Sequence, residues 1–568
     1  MAFDKINEIS ELHFGARYTG FRDDSRFLEQ TSDFDGGLIV WPGGTLAERS
    51  TDRYGLEYEN LWNDTDFSRQ PGLNELIEVA VASDRDLAIV LPTSQYQNEP
   101  EELSDHLWNL FETLLLDIGE ENLPKTLILE IGNEYYANFS GADELEQAQN
   151  YTEILNLYGD ILSEIETAYS GLPSNIKISY QAGRDEDINS EILNLLSADT
   201  LSNVDLISHH RFPARMEATD RKVDELAKIL DDWREATEKD SIGIFLSSYN
   251  VASLTRGESF DFYTEKYGYV ADDKDEELAS RSNSEFEEFF QSQLGGRSVG
   301  LKHAEVLLST FWSYTSLDVY AASVYGWDMH HGGRSSLNDT EGNPHIFAAG
   351  NIQDMMAESL IGTRPIDLSL TDQEFSANSE SGLITSIFGF ENEDKFILFI
   401  GNTSGAENEE ISFDLGEFGV DGSRAWGERL TVEVDEEWRD KFNVVETPNV
   451  DQSNEALGFA DGVREPFNLD FSKGMLNLNV PKDQIIRVSI AKTEEGVEDI
   501  SSWQLGSGTD LIIPPEELIS ADGIELKDDN TEEETSIETD RHEVFDSLDI
   551  GISFFLSFAM LFLGIPVL

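Results

Sequence analysis

The chain has 568 residues, 38 Lys and Arg against 113 Asp and Glu, a formal net charge of −75 and a pI near 4.1. So negative a surface repels nucleic acid and anionic lipid head groups, which makes both poor partner candidates, and it suits salty surroundings where screening weakens self-repulsion. There is no cysteine, hence neither a disulfide framework nor thiol chemistry, and 39% apolar content over this length supports more than one domain.

The N-terminus (Met1, Ala2, Phe3, Asp4, Lys5) lacks the basic start and apolar stretch of a secretory signal. From there, strand-like apolar runs alternate with helical patterns, the signature of parallel βα units. The candidate strands are residues 13–21, 37–41, 87–91, 127–131, 176–180, 204–208, 242–246 and 319–324. Their apolar runs are nearly continuous, as expected of strands covered on both faces.

Helical stripes fill the gaps. Leu145, Ala148, Ile154, Leu155, Ile161, Leu162 and Ile165 share one helix face, with Ser140 the expected cap. Val223, Leu226, Leu230 and Trp233 make a second stripe, and a third runs from about residue 301 to Trp312. Eight such units in residues 13–362 predict an α/β (β/α)8 TIM barrel. The rival, a doubly wound open sheet, calls for a glycine-rich turn after its first strand, where this chain has Arg22, Asp23 and Asp24.

Beyond Thr363 short runs at 383–390, 395–400, 410–415, 430–434, 475–480 and 485–491 are separated by turn residues without helices between them. Residues 363–492 are therefore expected to form an antiparallel β-sandwich, with Glu391, Asn392, Glu393 and Asp394 as a hairpin loop. Residues 493–548 read as an acidic linker. Within it, residues 506–511 resemble one calcium-binding nonapeptide, but a single copy cannot stack and reads as a loop. Residues 549–568 form an uncharged apolar tail, either a membrane or surface anchor or a segment that packs on a partner.

Barrel enzymes keep their chemistry at the C-terminal ends of the strands. The fourth strand ends in Gly132, Asn133, Glu134, Tyr135 and Tyr136, and the second in Trp41, Pro42, Gly43 and Gly44. The sixth ends in Ser208, His209, His210 and Arg211, and the eighth in Tyr325, Gly326, Trp327 and Asp328. In this order WPGG, LPT, EIGNEYY and ISHH resemble the retaining clan A glycoside hydrolases, in the style of the arabinofuranosidase-, xylosidase- and heparanase-like members, over about residues 13–490. The resemblance implies a sugar ligand, with Glu134 as general acid/base, Asn133 on the sugar 2-hydroxyl and His209 or His210 orienting groups. No cofactor or metal is implied. Adjacent histidines such as His330 and His331 point to opposite faces of an extended chain, which disfavours a metal site.

Retaining hydrolysis needs a second carboxylate about 5–5.5 Å away. Where the family places its nucleophilic Glu, this chain has Ser248, in Leu246, Ser247, Ser248, Tyr249, Asn250. A hydroxyl is a weak nucleophile without a general base. The Arg that pairs with that Glu in the family is Val40 here, so cation and anion both look lost, while Arg211 and Tyr325 replace a sixth-strand tyrosine and an eighth-strand tryptophan.

Three readings stay open. One is a glycosidase with a relocated carboxylate at Asp328, Glu48 or Glu130, although Glu130 is better explained by pairing with Arg184 or Arg211, and Glu48 by loop solvation. The second is a glycan-binding barrel with Trp41, Tyr135, Tyr136, Tyr325 and Trp327 as stacking surfaces. The third is a structural surface protein, extracellular or at the cell surface, attached through residues 550–568.

Overall fold

A computed structural model describes residues 8–17, 36–42, 44–49, 72–213, 219–251, 299–327, 335–366, 368, 386–403, 408–414, 425–442, 456–472 and 475–506. Asp328, His330, His331, most of the linker and the apolar tail lie outside the described residues.

Eight parallel strands close into a barrel: β1 (Gly15–Arg17), β2 (Leu38–Trp41), β3 (Asp86–Leu91), β4 (Leu127–Ile131), β5 (Ile176–Gln181), β6 (Leu206–Arg211), β7 (Gly243–Tyr249) and β8 (Val319–Tyr325). Closure is made by β1, which pairs with β2 on one side and β8 on the other. Each of the eight sequence-level strands has its counterpart. The main differences are at the C-terminal ends of β6 and β7, which run on through Arg211 and Tyr249, so that His209, His210, Ser247 and Ser248 sit within strands. Both extensions follow register shifts, between Ser208 and His210 and between Leu246 and Tyr249. Such irregularities re-aim side chains beside active sites.

Leu38, Val40, Ala88, Val90, Ile128, Leu206, Phe245 and Ala321 pack as a separate apolar cluster inside the barrel. The outer faces of the strands meet the helices in the main core, where Ala148, Ile154, Leu155, Ile161, Leu162 and Ile165 of the helix Glu144–Tyr169 are buried. Leu145 is exposed, and the cap is Asp143 rather than Ser140. The Asp143 carboxylate accepts the Glu146 N–H at 3.0 Å, whereas the Ser140 hydroxyl donates to Gln97. In the helix Thr219–Thr237 the expected stripe of Val223, Leu226, Leu230 and Trp233 is buried. Each such aliphatic side chain contributes roughly 1.5–3 kcal/mol when fully buried.

After the barrel come a small hairpin, β9 (Ser336–Asn338) and β10 (Pro344–Ile346), and the helix Ala348–Leu360. The remaining strands are β11 (Arg364–Ile366), β12 (Ser386–Glu391), β13 (Lys395–Asn402), β14 (Asn408–Asp414), β15 (Ala425–Glu433), β16 (Asp461–Phe467), β17 (Asp470–Ser472), β18 (Met475–Pro481) and β19 (Gln484–Ala491). They form a six-stranded sheet, β11-β12-β13-β19-β15-β16, and a three-stranded sheet, β14-β18-β17. Phe396, Leu398 and Ile400 of β13 with Ile486, Val488 and Ile490 of β19 pack against Ile411, Phe413, Leu476, Leu478 and Val480 of the smaller sheet. The alternate residues Ile397, Phe399 and Ile485 join the barrel's main core. Period-two alternation thus buries both faces of β13, which explains its unbroken apolar run.

Polar clamps reinforce this contact. Glu305 of the helix Gly300–Thr315 accepts from the Ser386 and Thr403 hydroxyls, and Glu358 of Ala348–Leu360 pairs with Arg464 and Arg487. The stretch read as the start of the linker instead forms a helix, Glu494–Gly506, with Ile500 buried and Asp499 paired to Lys395. Among the described residues no helix is long and apolar enough to cross a membrane.

One buried side chain before β1 makes the fold acid-sensitive. His13 Nδ1 accepts the Ser10 N–H at 3.0 Å, so its Nε2 proton points to the Val319 carbonyl at 3.0 Å. Burial pushes its pKa down to about 4, against backbone hydrogen bonds that pull it up. The unfolded chain therefore binds the extra proton first as pH falls. Stability rises with pH between about 4 and 6.5, by about 3 kcal/mol for this residue. Urea midpoints measured across that window should flatten in His13→Gln, and an unchanged slope would reject the assignment.

Candidate active site

The turn after β4 builds the centre of the site. Gly132 has φ +88°, and a Cβ there would lie 2.7 Å from the Tyr151 ring. Glu134 also adopts a left-handed conformation, φ 48° and ψ 57°, at the start of the short helix Tyr135–Asn138. A non-glycine residue in that region costs about 1–3 kcal/mol and persists where its surroundings hold it. Here Asn138 Nδ2 donates to the Asn133 and Glu134 carbonyls at 2.8 and 3.2 Å.

Glu48, expected as a solvated loop residue, is buried and saturated instead. Its Oε2 accepts the Thr93 and Ser94 N–H groups at 2.8 and 2.7 Å, and its Oε1 accepts the Thr93 hydroxyl and the Asn133 N–H at 2.8 and 3.0 Å. Burial still holds its pKa above the usual carboxylate value, with these hydrogen bonds opposing. Gly44 completes the packing, because a Cβ there would meet Asn133 Oδ1 at 1.7 Å. Glu48 therefore joins the tips of β3 and β4 to the segment after β2.

The second carboxylate near Glu134 is Glu130. Its ion-pair partner is Arg17 of β1, rather than Arg184 or Arg211, and both members are fully buried. Arg184 instead stacks on the Tyr136 ring at 4.4 Å and meets Glu144 at 3.5 Å. Burial pushes the Glu130 carboxyl up, but the Arg17 charge and His210 outweigh it and bring it below the usual range.

Arg17 also corrects the inference that cation and anion were lost together. In the sheet register it lies beside Val40. Its Nη1 donates to Ser248 Oγ at 2.8 Å and lies 3.5 Å from Asn133 Oδ1. A guanidinium therefore does stand at the Ser248 position, supplied by the neighbouring strand, and Glu130 neutralises it. Sequence reasoning missed Arg17 because only barrel closure brings residue 17 to residues 130 and 248. The available signal was a lone arginine in an apolar strand.

His210 reaches both carboxylates. Its Nδ1 is 3.3 Å from Glu134 Oε1 and its Nε2 is 3.6 Å from Glu130 Oε1. Its side chain is 6% exposed and that of Glu134 is 15%, so Glu134 is the more open of the two. Burial raises the Glu134 pKa, but His210, the Tyr136 hydroxyl and the Arg17 charge win and leave it lowered. His209, next along the strand, lies outside this group. Burial, then the charges of Arg211 and His210, bring it down to about 3.

The structure thus gathers Asn133, Glu134, His210 and Ser248. Of the aromatic candidates, Tyr135 and Trp327 are enclosed in the core and Trp41 is nearly so, while Tyr136 and Tyr325 are half-buried. Among the described residues no three His, Asp or Glu side chains are placed to hold a metal ion.

No protein-family model and no curated protein matches the sequence. Solved structures do share the fold. An α-L-arabinofuranosidase from Thermotoga maritima is 12% identical, with 86% of this chain and 98% of that one covered and a TM-score of 0.52. A family 51 α-L-arabinofuranosidase from Bifidobacterium longum is 11% identical, with 86% and 97% covered and a TM-score of 0.53. A GH51 arabinofuranosidase from Xanthomonas axonopodis pv. citri is 11% identical, with 86% and 98% covered and a TM-score of 0.50. The closed barrel followed by antiparallel sheets is thus an architecture known from glycoside hydrolases.

Proposed function

We propose that this protein binds carbohydrate at the C-terminal face of its barrel, with Glu134 facing the sugar, and that it does not hydrolyse glycosides through a covalent intermediate at position 248. The observation that carries this reading is the 2.8 Å hydrogen bond from Arg17 Nη1 to Ser248 Oγ. A retaining reaction needs an anionic nucleophile there, and the hydroxyl has no general base among its described hydrogen bonds. Glu130 and Glu48 do not substitute, since one is held by Arg17 and the other by four donors. Glu134 remains the acid/base candidate, with Asn133, held by Glu48 through its backbone N–H, beside it.

Glycan-array binding and aryl-glycoside hydrolysis, run on the same preparation, test this. Binding is expected without product release, and Glu134→Gln should weaken binding by roughly tenfold, the loss of a charged hydrogen bond. Ser248→Glu alone should leave product release within about tenfold of background. The Arg17 guanidinium already occupies the space beside position 248 and is already neutralised by Glu130. Wild-type turnover with a burst of glycosyl-enzyme would overturn the reading.

A relocated second carboxylate is the other reading, and the strained left-handed conformation at Glu134 favours it. With Glu48 and Glu130 engaged, it falls on Asp328. Steady hydrolysis abolished by Asp328→Asn would establish it.

A further inference from the structure

We propose that His210, held as an imidazolium between Glu130 and Glu134, is the residue that carries the exchangeable proton of this site, so that Glu134 meets its ligand as a carboxylate that accepts sugar hydroxyls. This rests on the reading of the site as a glycan-binding pocket for its ligand, and on the geometry alone for its proton.

The two ring nitrogens each face a carboxylate oxygen, Nδ1 towards Glu134 Oε1 at 3.3 Å and Nε2 towards Glu130 Oε1 at 3.6 Å. A neutral ring can donate to only one of them. The rival arrangement is a neutral ring whose Nε2 accepts from Arg17 Nη1, 3.4 Å away. That leaves a nitrogen lone pair facing Glu130 Oε1, a buried oxygen with no hydrogen bond of its own. Arg17 has no need of that acceptor, because the two hydrogens on Nη1 have Ser248 Oγ and Asn133 Oδ1 within reach.

The charge count agrees. Arg17 and His210 as cations against Glu130 and Glu134 as anions sum to zero. A carboxylate at position 248 would make the buried group net negative, and like charges would drive a proton onto one of the carboxyls. With Ser248 in place, that pressure is gone and the proton stays on the ring. The neighbours of His210 are Glu130 from β4, Glu134 from the turn after it, Arg17 from β1, Ser248 from β7, and His209 and Arg211 on its own strand. Burial, the largest influence, lowers the His210 pKa, but the facing carboxylates of Glu130 and Glu134 outweigh it and raise it.

The test is imidazole nitrogen NMR on histidine-labelled, ligand-free protein, so a failure to bind glycan would leave it unaffected. Both His210 nitrogens should remain protonated above the unperturbed midpoint of about 6.5. Glu134→Gln should lower the midpoint by about one unit or more, and Ser248→Ala should leave it in place. His210→Gln assigns the resonance. If that variant does not fold, the shift caused by Glu134→Gln assigns it instead. An unprotonated nitrogen on His210 at about pH 7, or a midpoint indifferent to Glu134→Gln, would overturn the proposal.

Discussion

Arg17→Met is expected to destabilise the barrel by about 3–5 kcal/mol, because it strands the Glu130 carboxylate inside the protein without its counter-ion. Both side chains are fully buried, so water cannot take over the lost role without opening the barrel. The contrast that makes the experiment decisive is the double variant Arg17→Met with Glu130→Met. Replacing both charges by apolar groups of similar size removes the desolvation cost together with the attraction, and such swaps are often neutral or stabilising. Urea unfolding should show the single variant far below wild type and the double variant recovering most of the difference. A single variant within about 1 kcal/mol of wild type would mean that Glu130 simply takes up a proton in the folded state.

The second large effect concerns the whole chain. A net charge of −75 makes every compact state repel itself, and the repulsion falls as salt shortens the Debye length from about 10 Å at 0.1 M to about 3 Å at 1 M. The melting temperature should rise on the order of 10 °C across that range, with potassium chloride as the added salt. Screening of surface charge should leave the fully buried Arg17–Glu130 pair almost untouched, so the cost of Arg17→Met should be similar at both ends. A flat melting temperature would show that cations held at fixed sites already neutralise the surface.

The barrel was legible in the sequence because its strands are buried on both faces and so are written as unbroken apolar runs. The sandwich was legible for β13 and β19 for the same reason. The strand Asp461–Phe467 was not, because DGVREPF contains a proline and three charges and sits half-exposed at the edge of its sheet. Glu134 was found because a carboxylate after a buried strand is locally conspicuous. The reading of Ser248 as a substituted nucleophile position came from a family likeness.

What could not be read was pairing. The expectation that Arg184 or Arg211 would neutralise Glu130 drew on residues near it in strand order, whereas β1 sits across the barrel and comes close only when β8 closes on it. Glu48 misled for a related reason. A glutamate in a polar stretch after a Pro-Gly turn reads as solvated, and nothing in its neighbours reveals the four donors waiting around it.

Glu48 has an implication for how such a pocket tolerates substitution. The hydrogen bonds that hold the β3 and β4 tips converge on a residue that takes no part in the proposed chemistry, and none of them involves position 248. The Asn133 backbone is therefore held independently of position 248, and Arg17 Nη1, between Ser248 Oγ and Asn133 Oδ1, is the link between their side chains. The side chain at position 248 can therefore change while the recess at the tips of β3 and β4 keeps its shape, like a mould that outlasts what is cast in it.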